Sequence, residues 1–314
     1  MYKSFIRPLL FHFQPETVHY FIVFCLKIAF KIPGIGFLVR TCYAVRDNRL
    51  KRSFLGIEFD NPVGFAAGFD KNAEVYNQFS NFGFSFIEVG TVTPNPQPGN
   101  SKPRSFRITD DQGLINRMGF NNKGVENAVK NLRNKKHSVV IGGNIGKNTL
   151  TTNDDAINDY AFCFEKLYPY VDYFVVNLSC PNIKDLDKLQ DKDSTISILN
   201  HLTGIRQSKE KYKPILLKIS PDLDNNQLDD VIETFNITGI DGIVATNTTK
   251  SRENLKTNAE RIQEIGDGGL SGTPLTKRST EIIRYLTKKT EGTIPIIGVG
   301  GIMTVDDALE KLDA

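Results

Sequence analysis

Cysteine and histidine are both scarce in this sequence, and neither is arranged for disulfide or metal chemistry. The four cysteines, Cys25, Cys42, Cys163 and Cys180, lie far apart with no C-x-x-C pair. Neither a disulfide framework nor a zinc site is suggested, and a reducing cytoplasm is the expected home. The four histidines, His12, His19, His137 and His201, form no i, i+4 pair of the kind a helical metal site needs. No metal is expected. No G-x-G-x-x-G follows the first apolar run, which weakens a doubly wound dinucleotide-binding fold. The stretch IGGNIGKN at 141–148 carries Ile141 and Asn148 at the decisive places of the P-loop pattern, so a nucleotide triphosphatase is not expected.

An unbroken membrane span is missing too. Residues 18–30, VHYFIVFCLKIAF, are dense in large apolar side chains but are cut by His19 and Lys27, and a span needs roughly 20 apolar residues. A signal peptide fails because Pro8, His12 and Gln14 interrupt the first apolar run and no small-residue cleavage site follows.

What is present is a chain of 314 residues with 21 Phe and 10 Tyr. That is ample core material, which excludes a disordered chain, and a length suited to one large α/β domain or two ordinary ones. The net charge of +3 conceals an asymmetry. Residues 1–52 hold nine Lys or Arg against only Glu16 and Asp47, so a +7 segment precedes a −4 body. Such a segment seeks phosphate. Phe5, Leu9, Leu10, Phe11 and Phe13 precede the apolar run, Pro15 with Glu16 marks a helix start, and Pro33-Gly34 marks its stop. Two short helices with surplus apolar surface and basic flanks suit a monotopic segment in a bilayer interface. The plainer alternative is a helical pair packed on the body. Nucleic acid is not expected, because bulky apolar side chains outnumber the cations here.

The body reads as strand-then-helix units. Apolar runs at 63–68, 86–90, 139–144, 173–179, 214–220, 241–247 and 295–301 alternate with amphipathic stretches such as 153–168, 193–211, 225–237 and 275–290. A turn-rich piece, SFLGIEFDNP, reads as a short hairpin before them. Near-continuous apolar strands alternating with helices mean a parallel sheet covered on both faces, and seven such units point to a (β/α)₈ TIM barrel. The eighth strand is missing from the pattern, since the sequence stops at Ala314 within the helix after the seventh. The expectation is a truncated chain or a lost last strand.

In such a barrel the active site forms at the C-terminal strand ends. Those ends carry Gly68 and Lys71, Thr91, Asn144, Asn177 with Cys180 and Asn182, Lys218, Thr246 with Asn247, and Gly300 with Gly301. One Asn at a strand end is ordinarily a turn former. Six consecutive strands ending in amide, hydroxyl or ammonium groups are hard to explain by turns. Lys218 closes the apolar run PILL, and an unpaired ammonium in a barrel mouth is costly, so it wants an anionic or electron-rich partner. Two glycine-rich stretches, GGLSG (268–272) and GVGG (298–301), sit where barrels commonly bind phosphate through backbone N–H groups.

At these residues the chain resembles the dihydroorotate dehydrogenases. The motifs are AAGFDKN (66–72), EVGTVTPNPQPGN (88–100), PRSFR (103–107), INRMGFNN (115–122), NIGKN (144–148), NLSCPN (177–182), KISPDL (218–223), ATNTT (245–249), GGLSG and IIGVGGI (296–302), long and in order. The N-terminal helices and INRMGFNN resemble the quinone-dependent, membrane-associated class. The resemblance implies an FMN-containing barrel over 46–314 that oxidises dihydroorotate to orotate in pyrimidine synthesis. It implies a helical segment over 1–45 that meets the bilayer surface and a membrane quinone, on the cytoplasmic face of the cell membrane. FMN would meet Ala67, Gly68, Thr91, Asn144, Asn177, Lys218, Thr246, Gly272 and Gly301. The substrate would meet Lys71, Asn116, Arg117, Met118, Gly119, Phe120, Asn177, Asn182, Asn247 and Thr248. Cys180 would be the catalytic base, with Lys218 stabilising reduced, anionic flavin. Cys180 stands where the quinone-dependent class usually has Ser and the soluble class has Cys. The family's last strand, which completes the FMN phosphate site, is absent from the pattern. The alternatives are a soluble-type enzyme using fumarate or NAD, and a catalytically silent membrane-bound barrel.

Overall fold

The structure is a computed structural model that describes residues 2–136, 139–178 and 191–314. Three helices open the chain: α1 (Arg7–Phe11), α2 (Pro15–Ala29) and α3 (Ile35–Tyr43). Pro15 occupies the first turn of α2, where its missing N–H costs nothing. Gly34, at φ +87°, turns the chain into α3. The expected two short helices are therefore three. No helix among the described residues is long and apolar enough to cross a membrane.

A hairpin of β1 (Arg52–Phe54) and β2 (Ile57–Phe59) follows, antiparallel as its turn-rich sequence predicts. The body then lays down β3 (Gly64–Phe65), α4 (Tyr76–Phe79), β4 (Phe86–Val92), β5 (Ser105–Ile108), β6 (Gly113–Asn116), α5 (Val125–Leu132), β7 (Val140–Ile145), α6 (Ala156–Leu167) and β8 (Tyr173–Asn177). It continues with α7 (Lys192–Gln207), β9 (Ile215–Ile219), α8 (Asn225–Thr238), β10 (Gly242–Ala245), α9 (Ala259–Ile265), β11 (Gly269–Gly272), α10 (Thr276–Lys289), β12 (Ile296–Gly298) and α11 (Val305–Asp313).

Seven strands make one sheet in the order β3-β4-β7-β8-β9-β10-β12, every neighbouring pair parallel. Each strand lies beside the next sheet strand in sequence, the winding of a (β/α) barrel rather than of a doubly wound sheet. All seven apolar runs form these strands. Among the described residues β3 and β12 each have one neighbour in the sheet.

Two buried layers hold the sheet. Outside, α5, α6, α7, α8 and α10 press Val129, Phe164, Leu202, Leu228 and Ile282 against the strands. Inside, Tyr173, Val175, Leu216 and Val244 pack with Phe59, while Phe54, Leu55 and Ile57 of the hairpin lean on the same cluster and plug one end. Gly142 is required here: a Cβ would come within 2.3 Å of the Tyr173 ring. A second sheet, β5-β6-β11, is antiparallel and stands outside the barrel strands.

Candidate active site

Parallel register carries the polar strand-end residues to the same end of the sheet. Asn177 pairs with Lys218 across β8 and β9, and Asn144 with Val175 across β7 and β8. Their side chains form a continuous buried network. Thr91 Oγ1 donates to Asn144 Oδ1 at 2.6 Å, and Asn177 Nδ2 donates to Thr91 Oγ1 at 3.0 Å. Asn144 Nδ2 donates to Glu88 Oε1 at 2.8 Å, and Asn247 Nδ2 to Asn177 Oδ1 at 3.1 Å. Lys218 Nζ stands 3.7 Å from Glu88 Oε1. All but the partly exposed Asn247 are buried. A buried donor or acceptor left unmatched costs about 1–3 kcal/mol, so this mutual saturation fixes the orientation of each group. It makes a preorganised polar floor of the kind that stabilises developing charge.

A cavity of about 750 Å³ opens above that floor. Thr91, Asn177, Lys218, Thr246, Asn247 and Thr248 reach it from β4, β8, β9 and the residues after β10. Ala67, Gly68 and Lys71 line it from the loop after β3, and Asn116, Met118, Gly119 and Phe120 from the end of β6 and the loop beyond. Gly68 has φ +112°, and a Cβ there would meet nothing within 4 Å, so backbone and open space face one another. The 116–120 loop is held in place by Gln97 Nε2, which donates to the carbonyls of Gly119 (3.2 Å) and Phe120 (3.1 Å). Ser271, Leu275, Val299 and Gly300 close the glycine-rich side.

Four expected residues stand elsewhere. Asn144 is beneath the wall and acts on it through Thr91. Arg117 is turned outward: its Nη1 donates to Ile265 O (2.5 Å) and Asp267 O (3.0 Å) at the end of α9, and its guanidinium stacks over Phe106. Gly272 and Gly301, at φ +100° and +69°, shape the turns behind Ser271 and Gly300. Gly301 O accepts from Thr276 Oγ1 at 2.6 Å. Cys180 and Asn182 lie outside the described residues. Among the described residues no group of three or more His, Cys, Asp or Glu is placed to hold a metal ion.

Sequence reasoning missed several participants. Glu88 is 2% exposed, and its only signal was an acid inside the apolar run FIEVG. The wall also includes Pro15, Glu16, His19, Tyr20 and Val23 of α2, so the cavity extends from the strand ends to the N-terminal helices. Glu16 is locked by Arg104, whose Nη2 meets Glu16 Oε1 at 2.7 Å and whose Nη1 donates to Pro98 O and Asn100 O. Burial pushes the Glu16 carboxyl up, but Arg104 and Lys102 outweigh it and hold it below the usual value. Burial, aided by the Lys71 ammonium, lowers His19 below the usual imidazole value. It is therefore neutral at pH 7, and its ring meets Phe69 edge-on at 4.5 Å. A hydrogen-bonded chain links the two ends of the cavity: Lys71 donates to Asn121, Asn121 to the Tyr20 hydroxyl, and that hydroxyl to Glu16.

Comparison with known proteins places these observations in a family. The family model described as Dihydroorotate dehydrogenase matches residues 49–314. A protein of Christiangramia forsetii named dihydroorotate dehydrogenase (quinone) is 55% identical over 314 residues, covering 100% of this chain and 91% of the relative. One of the same name from Idiomarina loihiensis is 43% identical over 316 residues, covering 99% and 92%. Among solved structures, DHODH of Eimeria tenella in complex with ferulenol superposes with a TM-score of 0.84 at 35% identity, covering 95% of this chain and 82% of that one.

Proposed function

The chain belongs to the dihydroorotate dehydrogenase family, oxidoreductases of pyrimidine biosynthesis, and from that membership we propose that the cavity holds FMN on its polar floor with dihydroorotate beside it. The observation that carries this reading is the buried network ending in Lys218, which faces a cavity continuous with α2. The residues suit the group. A cavity of about 750 Å³ falls within the roughly 300–1,000 Å³ common for cofactor sites. Its floor offers an ammonium, amides and hydroxyls to the polar edge of a heteroaromatic ring, and Ala67, Leu275 and Val299 supply apolar wall. When bound, FMN supplies a two-electron acceptor.

The protein's own part is placement and charge. Lys218 favours negative charge at the floor, and the fixed amides of Asn177 and Asn247 give it direction. Lys71, Asn116, Asn247 and Thr248 present cation, amide and hydroxyl donors suited to a carboxylate and an imide, and the resemblance adds Asn182. Cys180 takes the proton from C5 of dihydroorotate. The 116–120 loop, pinned by Gln97, keeps water from the reacting atoms.

The quinone approaches along α2, in our reading, and residues 1–45 serve the membrane while 46–314 form the catalytic barrel. Phe5, Leu9, Phe21, Phe24, Phe37 and Leu38 are all exposed on α1–α3 and the residue stretch before them, with Arg7, Lys27, Lys31 and Arg40 among them. Apolar surface rimmed by cations is the composition of a helix lying in an anionic bilayer interface, here at the cytoplasmic face. The test is purified protein carrying yellow flavin that dihydroorotate bleaches, then reoxidised in parallel by a short-chain quinone, fumarate and NAD. Recolouring by quinone alone is expected. Equal recolouring by fumarate or NAD would favour the soluble-type reading, and protein without flavin would favour a silent barrel.

A further inference from the structure

Glu88 is a carboxylate buried within the barrel on β4, one layer beneath the cavity and absent from its wall. It touches the wall at second hand. Its Oε1 accepts from Asn144 Nδ2 at 2.8 Å and stands 3.7 Å from Lys218 Nζ. Asn144 in turn accepts from Thr91, and Thr91 and Lys218 both face the cavity. Opposite Glu88 in register is Gly142, whose missing side chain leaves room for the Tyr173 ring. The Tyr173 hydroxyl is buried with no hydrogen-bond partner among the described residues. Burial first, and then the charge of Glu88, push that hydroxyl well above its usual value. An acid in this position is not needed to fill space, since an apolar side chain would suit the layer below. A buried carboxylate beside a buried ammonium changes the field that the ammonium projects.

We propose that Glu88 is a positioning and charge-setting residue: it holds Lys218 and Asn144 toward the cavity and offsets part of the positive field that Lys218 presents to a ring bound there. This rests on the flavin reading above. Because reduction of the bound ring adds negative charge, the balance between Lys218 and Glu88 sets how readily that charge is accepted.

The experiment compares flavin-loaded wild-type protein with Glu88→Gln and Glu88→Asp. Glutamine keeps the acceptor oxygen for Asn144 and removes only the charge, so a merely structural role predicts no electrostatic change. The readouts are the midpoint potential of the bound flavin and its affinity for sulfite, which adds to the ring and leaves negative charge on it. Glu88→Gln is expected to tighten sulfite binding about tenfold and to raise the potential by the equivalent ~30 mV for a two-electron couple. Glu88→Asp should stay near wild type. Full flavin occupancy with unchanged potential and sulfite affinity in Glu88→Gln would overturn the proposal. A wild-type protein that binds no flavin would instead overturn the flavin reading itself. Should Glu88→Gln fail to fold, it is combined with Lys218→Met. Recovery of folded protein by the pair, with a higher urea midpoint than Lys218→Met alone, supports charge offsetting, and a pair no more stable than Lys218→Met alone overturns it.

Discussion

Glu16 and Arg104, 88 residues apart in sequence, form an ion pair in which the side chains are 7% and 5% exposed. Glu16 sits in the first turn of α2, and Arg104 lies just before β5, where it also holds the carbonyls of Pro98 and Asn100. The pair fixes the helix to the rim of the cavity. Removing one partner of a buried pair costs about 3–5 kcal/mol where the other charge is stranded, and less here, because Lys102 Nζ still stands 3.5 Å from Glu16 Oε1. Arg104→Ala should therefore loosen α2 and cut quinone-dependent turnover at least tenfold, while dihydroorotate-dependent flavin bleaching stays within about twofold. Steady-state assays with quinone beside anaerobic bleaching check this. Equal losses in both would show that Arg104 serves the barrel rather than the helix.

Deletion of residues 1–45 tests the same division more severely. Loss of quinone reduction and of binding to anionic vesicles, with bleaching retained, is the expected outcome. Quinone turnover equal to that of the full chain would remove the segment from the electron path.

Lys218 bears on the reduction of the flavin by substrate. The residue is 6% exposed and lines the cavity, so Lys218→Ala should lose flavin or slow its reduction, typically by 10²-fold or more for loss of a preorganised electrostatic group. Flavin content by absorbance and the bleaching rate by stopped flow decide it. Unchanged values for both would reduce Lys218 to a strand-end solubiliser.

How much of this was legible in the sequence differs by length scale. The barrel strands were readable because runs such as VVIGGN and PILLKIS are apolar on both faces, a pattern a half-buried strand does not show. The amphipathic stretches 225–237 and 275–290 fall within a residue or so of α8 (Asn225–Thr238) and α10 (Thr276–Lys289). The antiparallel sheet was not legible. Its strands SFRI, GLIN and GLSG are four residues each, and β11 finds its partner 153 residues away, so nothing local marks GGLSG as a strand. Most strand-end residues were found because each ended an apolar run. The direction of Arg117 was not, since it depends on carbonyls at the end of α9, far along the chain. Glu88 was hidden for the opposite reason: its partners Asn144 and Lys218 come together only when three strands close on one another.

Cys180 carries a prediction from the resemblance alone. A general base contributes about 10²- to 10⁴-fold, and a thiol titrates near ~8.5 while a serine hydroxyl does not ionise in the accessible range. Cys180→Ala should slow flavin bleaching by orders of magnitude with FMN still bound, and Cys180→Ser should retain partial activity with a shifted pH profile. Stopped-flow bleaching across pH for the three proteins is the measurement, and an alanine variant with the parent rate would eliminate Cys180 as the base.

Asp70 gives the pH dependence its sign. The side chain is 3% exposed, beside Lys71 in the loop after β3, and accepts from the N–H groups of Glu74 (2.6 Å) and Val75 (2.8 Å). Burial raises its carboxyl from 3.8 to about 6, against the lowering pull of those N–H groups. In the unfolded chain the group titrates near ~3.9. Between the two values the folded protein keeps a proton that the unfolded chain releases, so this group's contribution to stability declines as the pH rises from about 4 to about 6. At about 1.36 kcal/mol per pKa unit the decline is of the order of 3 kcal/mol. Asp70→Asn keeps an acceptor oxygen and cannot ionise, so its stability relative to wild type should rise through that same window and level off above it. Urea melts of both proteins at pH 4, 5, 6 and 7 measure the difference directly. A difference independent of pH would mean that the Asp70 carboxyl ionises in the folded protein as it does in the unfolded one, with its two N–H donors balancing its burial.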